Sequence, residues 1–314
     1  MANISQFQKN ANTQSIEFFY MKLTLKQLIA EGKTLISDGA WGTFLQAKGL
    51  KPGECPELWN IDQPDAVLDI ARNYIDAGAD TIETNSFGGN RFKLEGFGLG
   101  KRVYEINRRA AEISRKAAGA DKYVLGSIGP TGKMLIMGDV TEEELYDAFK
   151  EQAVALADGG ADAIVIETMT ALDEAEIAVK ACRENTSCEV ICTMTFDHLA
   201  NGEYRTMMGV SPTEMTETLV AAGADIVGAN CSNGIEGMIE ITEEIRATNK
   251  DIPVLIHANA GLPQLQGTCT VFPESPEMMA GFAPRLAKAG ANIIGGCCGT
   301  TPEHIHKLAE VLKK

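Results

Sequence analysis

No run of eighteen apolar residues occurs anywhere in the 314-residue chain, so no segment is built to cross a membrane as a helix. Basic residues are scarce beside acidic ones, 28 against 43, which gives a formal net charge of −15, and nowhere do they cluster. A surface that tracks phosphates needs such a cluster, so nucleic acid is not an expected partner. The acidity reads as solubility. The N-terminus, MANISQFQKNANTQSIEFFY, has neither the basic nor the apolar region of a secretory leader, and a cytoplasmic location is expected. In that reducing setting the eight cysteines are poor disulfide candidates; any clustered set points to metal binding or catalysis. Also missing is a Gly-rich dinucleotide fingerprint. The segment after Asp38 reads GAWGTFLQ, which does not fit one.

What is present is ordinary in composition, 45 % hydrophobic and 23 % charged, as in a soluble globular enzyme. The chain repeats itself faintly. Ala77-Gly78-Ala79-Asp80 precedes TIETN, Gly159-Gly160-Ala161-Asp162 precedes AIVIET, Ala222-Gly223-Ala224-Asp225 precedes IVGANC, and Ala289-Gly290-Ala291-Asn292 precedes IIGGCC. Each reads as a helix stopped by Gly and followed by a buried strand. Four further runs lie between them: LISD (35–38), YVLGSI (123–128), VICTMTF (190–196) and PVLIHAN (253–259). Helical patterns separate the runs. Val67, Ile70, Ala71 and Tyr74 share one face of 65–78, and Thr141/Glu144, Ser211/Glu214 with Pro212, and Thr301-Pro302-Glu303 open helices in capping style. Eight strand–helix alternations predict a single-domain (β/α)8 barrel over residues 23–314, an α/β fold of parallel strands. Residues 1–22, rich in Asn and Gln and outside the repeat, form an N-terminal extension.

In such barrels chemistry sits at the carboxyl ends of the strands. Strand one ends in Asp38, strand two in Glu83-Thr84-Asn85, strand four in Glu167-Thr168, strand six in Asn230-Cys231, strand seven in His257-Ala258-Asn259, and strand eight in Gly295-Gly296-Cys297-Cys298-Gly299. Strands six and eight flank strand seven, so about 9–10 Å separates their backbones. Side chains from both can meet on one ion at Zn–S distances of about 2.3 Å. Adjacent cysteines on a regular strand face opposite ways, so a twist at Gly295, Gly296 and Gly299 is expected. Cys231, Cys297 and Cys298 are therefore the candidate metal ligands. Three thiolates with an open fourth position favour a catalytic zinc that binds a thiol and leaves it nucleophilic. Cys55, Cys182, Cys188, Cys192 and Cys269 read as small buried hydrophobes.

Asp38 and Glu167, across the mouth from one another, suit the ammonium group of an amino-acid substrate; Thr84 and Asn85 are candidate substrate contacts beside them. Thr300 and Thr301 open a helix past the cysteines, for which ordinary capping is the stronger reading. His257 reads as a packed strand residue, His304 and His306 as surface residues of the last helix, and His198 as a loop residue.

These residues resemble a known family. GGCCGTTPEH near the chain end, GANCS at 228–232, DGAWGT at 38–43 and ETNSFGGNR at 83–91 look like the homocysteine S-methyltransferases, and among them the homocysteine-binding barrel of cobalamin-dependent methionine synthase. The likeness covers about residues 34–313. It implies Cys231, Cys297 and Cys298 as zinc ligands, and Asn259 as a residue able to fill the fourth zinc position before the thiol arrives. It implies Asp38 and Glu167 near the homocysteine amino group, and methyl transfer to a zinc-held thiolate to give methionine. No folate-binding barrel and no cobalamin motif follow in this chain, so the resemblance implies a separate methyl-corrinoid protein as donor. S-methylmethionine or S-adenosylmethionine is the alternative donor, and a related thiol the alternative acceptor. A non-catalytic zinc-binding barrel is a reading of a different class. A phosphate-binding barrel lyase is another, with Arg91 and Lys133 its only nearby cations.

Overall fold

The computed structural model describes residues 22–267 and 269–313. Eight strands run in one direction: β1 Leu35–Ile36, β2 Thr81–Glu83, β3 Tyr123–Ile128, β4 Ala163–Met169, β5 Glu189–Met194, β6 Ile226–Gly234, β7 Val254–Asn259 and β8 Ile293–Gly296. Eight outer helices alternate with them: α1 Pro64–Asp76, α2 Val103–Ala118, α3 Glu142–Asp158, α4 Leu172–Asn185, α5 Pro212–Ala222, α6 Ile235–Thr248, α7 Pro276–Ala289 and α8 Pro302–Leu312. Strand pairing is parallel throughout, in the order β1-β8-β7-β6-β5-β4-β3-β2. The expected (β/α)8 barrel is thus present.

Successive strand residues serve two cores, because side chains alternate faces. Leu35, Leu125, Val165, Ile191, Leu255 and Ile293 fill the barrel interior. Ile36, Val124, Ile164, Val190, Val227 and Ile256 pack outward under the helices with Val67, Ile70, Ala71 and Tyr74 of α1. Both faces are buried, which is why the strands read as near-continuous apolar runs.

The faint repeat has a physical job at the foot of the barrel. Gly78, Gly160, Gly223 and Gly290 stop four helices at φ of 106°, 101°, 100° and 118°, values that favour glycine. Two residues later, Asp80, Asp162, Asp225 and Asn292 each donate a backbone N–H to the preceding odd-numbered strand, to Ile36, Val124, Val190 and Val254 respectively. Each side chain also accepts the N–H of that same residue, at 3.0, 2.7, 3.0 and 2.9 Å. Four two-point clamps of the same geometry therefore tie β2, β4, β6 and β8 to β1, β3, β5 and β7. The Asp80 clamp closes the seam between β1 and β2, where no regular ladder forms.

A short helix, Leu25–Ala30, sits under the barrel. Thr24 and Gln27 form its capping box. The first backbone N–H groups, of Leu25 and Lys26, donate to the Glu189 carboxylate at 2.6 and 3.0 Å, and Leu25 enters the interior core with no exposure. Of the expected N-terminal extension, residues 1–21 lie outside the described residues. The capping boxes at Thr141/Glu144 and Ser211/Glu214 form as expected. No helix among the described residues is long and apolar enough to cross a membrane.

Candidate metal centre and substrate cavity

The strand ends depart from regular pleating where the site begins. β6 pairs with β7 in register as far as Asn230 and regains register only at Gly234 opposite Asn259. Within that stretch Cys231 and Ser232 hold φ of 63° and 55°, a conformation that costs an L-residue about 1–2 kcal/mol. Thr168, where β4 shifts register against β5, does the same at 61°. Asn230 pins this region: its Oδ1 accepts from the Thr168 N–H and from Thr193 Oγ1, both at 2.7 Å, and its Nδ2 donates to Thr168 Oγ1 at 2.7 Å. Strained backbone gathers at functional sites because something there needs a side chain re-aimed.

What is re-aimed is Cys231. Its Sγ lies 3.9 Å from Cys298 Sγ, and the sulfurs of Cys231, Cys297 and Cys298 all fall within 4.8 Å of one another. Cys297 donates its N–H to Ala258 O at 2.7 Å, and Cys298 O accepts from Ala260 N at 3.0 Å. Thr300 closes the turn by donating Oγ1–H to Cys297 O at 2.7 Å. Of the three glycines expected to provide the twist, only Gly299 is left-handed, at φ 80°. Gly295 and Gly296 instead permit close packing, since a Cβ on them would stand 2.6 Å from Ser37 Cβ and 2.3 Å from Thr300 Oγ1. On β6 a separate left-handed turn is carried by the non-glycine residues 231 and 232.

Zn–S bonds of about 2.3 Å at tetrahedral angles put sulfurs about 3.8 Å apart, so the trio fits that ion. Asn259 helps to lower the Cys231 thiol, and its own Oδ1 is buried without a partner. S–H donation from Cys297 and Cys298 pushes the Cys231 thiol down to about 3. The contact with Cys231 pushes Cys298 up to about 11, and contacts with Cys231 and Cys298 raise Cys297 as well. The other described cysteines behave as expected: Cys55, Cys182, Cys188 and Cys192 are buried and free, and burial raises Cys55 to about 12. The side chain of Cys269 lies outside the described residues.

A cavity of about 310 Å³ opens over the sulfurs, lined by Cys231, Cys297, Cys298, Glu83, Glu167 and His257 among others. Glu167 is 7 % exposed and accepts from Ser127 Oγ at 2.5 Å; burial, then the nearby Glu83 charge, holds its carboxyl well above the usual range. Thr84 and Asn85 also line the cavity, but their polar groups are engaged. Thr84 Oγ1 accepts from Ser127 N at 2.9 Å, and Asn85 Nδ2 donates to Pro56 O at 2.8 Å.

Asp38 is placed differently from Glu167. It is 1 % exposed and lies behind the cavity wall rather than on it. Its Oδ2 accepts from Trp41 Nε1 at 2.8 Å and from the Glu83 N–H at 3.0 Å, and its Oδ1 from Ser37 Oγ at 3.2 Å. Burial, then the Glu83 charge, raises it to about 7. Glu83, which the sequence reading grouped at the strand end without selecting, does line the cavity, and burial raises it to about 8. His257, expected as a packed residue, is packed and lines the same cavity, with Nδ1 3.3 Å from Glu83 Oε1.

Other expectations resolve simply. Thr300 and Thr301 cap and brace rather than face the cavity. His304 is not a surface residue: it is 6 % exposed, accepts the Thr301 N–H on Nδ1 at 3.2 Å and donates from Nε2 to Glu274 O at 3.0 Å. His306 is exposed, as is His198, whose strand pairs with Tyr204–Arg205 in a short hairpin. Arg91 pairs with Glu151 and Lys133 with Asp139, and neither lines the cavity, which removes the cation that a phosphate site requires.

Comparison with known proteins agrees with this layout. The family model for homocysteine S-methyltransferase matches residues 35–312. The chain belongs to the homocysteine S-methyltransferase family. Methionine synthase of Mycobacterium tuberculosis is 35 % identical over 296 residues, covering 88 % of this chain and 24 % of that protein. The Mycobacterium leprae methionine synthase is 34 % identical over 303 residues, covering 90 % and 24 %. The chain thus spans about a quarter of the length of these relatives. Among solved structures, the homocysteine methyltransferase MmuM of Escherichia coli in its metallated form superposes with a TM-score of 0.75 at 23 % identity, over 91 % of this chain and 99 % of that one. That likeness establishes the shared fold of this family member.

Proposed function

We propose that the chain transfers a methyl group to the sulfur of homocysteine, giving methionine, with zinc at Cys231, Cys297 and Cys298. The carrying observation is the convergence of three sulfurs, from β6 and the turn after β8, within 4.8 Å at the floor of an open cavity. Held by three thiolates with one position open, zinc supplies a soft, weakly electrophilic centre that keeps a substrate thiol deprotonated and nucleophilic. The chain does the rest. The strained backbone at 231–232 aims one ligand, and the braced turn at 297–300 aims two. Asn259 offers its free oxygen when no thiol is present. Asp38 and Glu167 make the amino-group side of the cavity acidic, and Thr84 and Asn85 form its wall. In net terms the thiol loses a proton and its sulfur gains a methyl group as the donor's carbon bond breaks.

The donor in this reading is a separate methyl-corrinoid protein, on the likeness of DGAWGT and ETNSFGG to the corrinoid-linked branch of the family. Purified protein should carry about one zinc per chain, and Cys298→Ser should lose both metal and methyl transfer. Full activity in metal-free protein would overturn the zinc assignment. X-ray absorption should show a fourth sulfur on adding homocysteine; an unchanged spectrum at saturation would reject that acceptor. Methionine made from S-methylmethionine alone would replace the corrinoid protein as donor.

A further inference from the structure

The segment between β7 and α7 leaves the barrel at Ala260 and returns at Ser275, and its two ends are fastened to the parts of the fold that carry the sulfurs. Ala260 donates its N–H to Cys298 O at 3.0 Å, and Glu274 donates its own to Ala260 O at 2.9 Å. His304 Nε2, on α8, donates to Glu274 O at 3.0 Å. The Phe272 ring lies on Gly299, the left-handed residue of the cysteine turn, and leaves no room there for a Cβ. The Glu274 side chain turns to the other arm. It fills the space over Gly261, where a Cβ would stand 2.9 Å from its Cγ, and over Gly234, the last residue of β6. Gly234 opens α6 with no side chain to cap it, so the carboxylate of residue 274 stands where a capping group belongs. Glu274 thus touches the end of the strand that carries Cys231, the end of the strand that carries Asn259, and the helix that follows Cys297 and Cys298. Its Oε2 is buried without a partner, and burial raises the carboxyl against the pull of the Ile235 N–H. An ionisable group kept where its charge is disfavoured calls for a reason beyond stability.

Resting on the reading of Cys231, Cys297 and Cys298 as a zinc site, we propose that Glu274 is the positioning residue that holds the β6 arm and the β8 arm of that site together, with Phe272 and His304 fastening it on the β8 side. Glu274 touches neither metal nor substrate; its effect reaches the sulfurs through the backbone. Left-handed backbone at Cys231 and Ser232 persists only where its surroundings fix it. Asn230 fixes the near side of that turn, and Glu274 fixes the far side at Gly234. Without Glu274 the turn is free to relax, and the Cys231 sulfur to leave the pair it meets.

The test is zinc affinity, read on the whole chain by competition with a chromophoric chelator. Glu274→Ala should weaken zinc about 10- to 100-fold, as loss of a residue that orients metal ligands does. Glu274→Gln keeps an oxygen against Gly234 and should stay within about threefold of wild type. Ser211→Ala removes an ordinary helix cap from α5 and should leave zinc affinity unchanged, so it separates a general loss of stability from a loss at the metal. His304→Leu frees the Glu274 carbonyl while leaving the carboxylate in place; it should weaken zinc about 3- to 10-fold, and it is read instead of Glu274→Ala should that variant not fold. Unchanged zinc affinity in folded Glu274→Ala, or in His304→Leu where Glu274→Ala is unfolded, overturns the proposal. So does an equal loss of affinity in Ser211→Ala. Wild-type protein that binds no zinc would instead overturn the reading of the cysteines as a zinc site, and this inference with it.

Discussion

At the scale of single residues, the site is a place where carboxyl groups are made to keep protons. Glu83 sits near 8 because burial disfavours its charge, against about 4.3 in an unfolded chain. A folded state that holds a proton the unfolded state releases loses stability as pH rises between those values. The substrate-free, zinc-loaded protein should therefore melt lower at pH 8 than at pH 5 by an amount that Glu83→Gln reduces, with the two proteins converging below pH 4. Parallel melting curves across that range would show that Glu83 is charged and compensated in the folded protein. The same residue marks the limit of what sequence can convey. The cysteines were legible because three sulfurs fall at strand ends, and that rule needs only strand positions. Which carboxylate faces the cavity was not, because alternation assigns faces only on regular backbone. At Asp38 the strand has already ended, and at Thr168, Cys231 and Ser232 the chain is left-handed without a glycine to announce it. His304 was misplaced for a related reason: its ring serves as the cap acceptor that Glu or Gln usually provides.

At the scale of elements, the four clamps explain why a faint repeat predicts the fold so well. Gly followed two residues later by Asp or Asn encodes a helix stop and a strand tie together, so the motif recurs wherever a helix hands over to an even-numbered strand. Asp225 shows the energetic consequence. Its carboxylate accepts the Val190 N–H and pairs with Arg183 at 2.8 Å, with only 8 % of the side chain exposed. Asp225→Ala strands the Val190 N–H and should cost about 2–3 kcal/mol, discounted for the half-exposed arginine. Asp225→Asn keeps the acceptor, as Asn292 does naturally, and should cost less than half as much. Urea unfolding of the two variants checks this; equal losses would show that the ion pair, and not the backbone tie, supplies the stability.

At the scale of the whole molecule, the barrel needs a floor as well as a ring of strands. The helix Leu25–Ala30 provides it, through Leu25 in the interior and the Glu189 carboxylate on its first N–H groups. Beside it, Lys22 Nζ reaches Lys122 O at 2.7 Å and stacks over Tyr123. Removing residues 1–30 should lower both the melting temperature and the zinc content. Leu25→Ala alone should cost about 2–3 kcal/mol.

The clamps at the barrel foot are not chemically uniform. Three depend on aspartate, and the fourth, tying β7 to β8, on the amide of Asn292. Acid that neutralises Asp80 therefore slackens the tie at the β1–β2 seam while leaving the one between Asn259's strand and the strand that delivers Cys297 and Cys298. Acid unfolding should begin at the β1–β2 seam, and amide exchange in β7 and β8 should outlast that in β1 and β2.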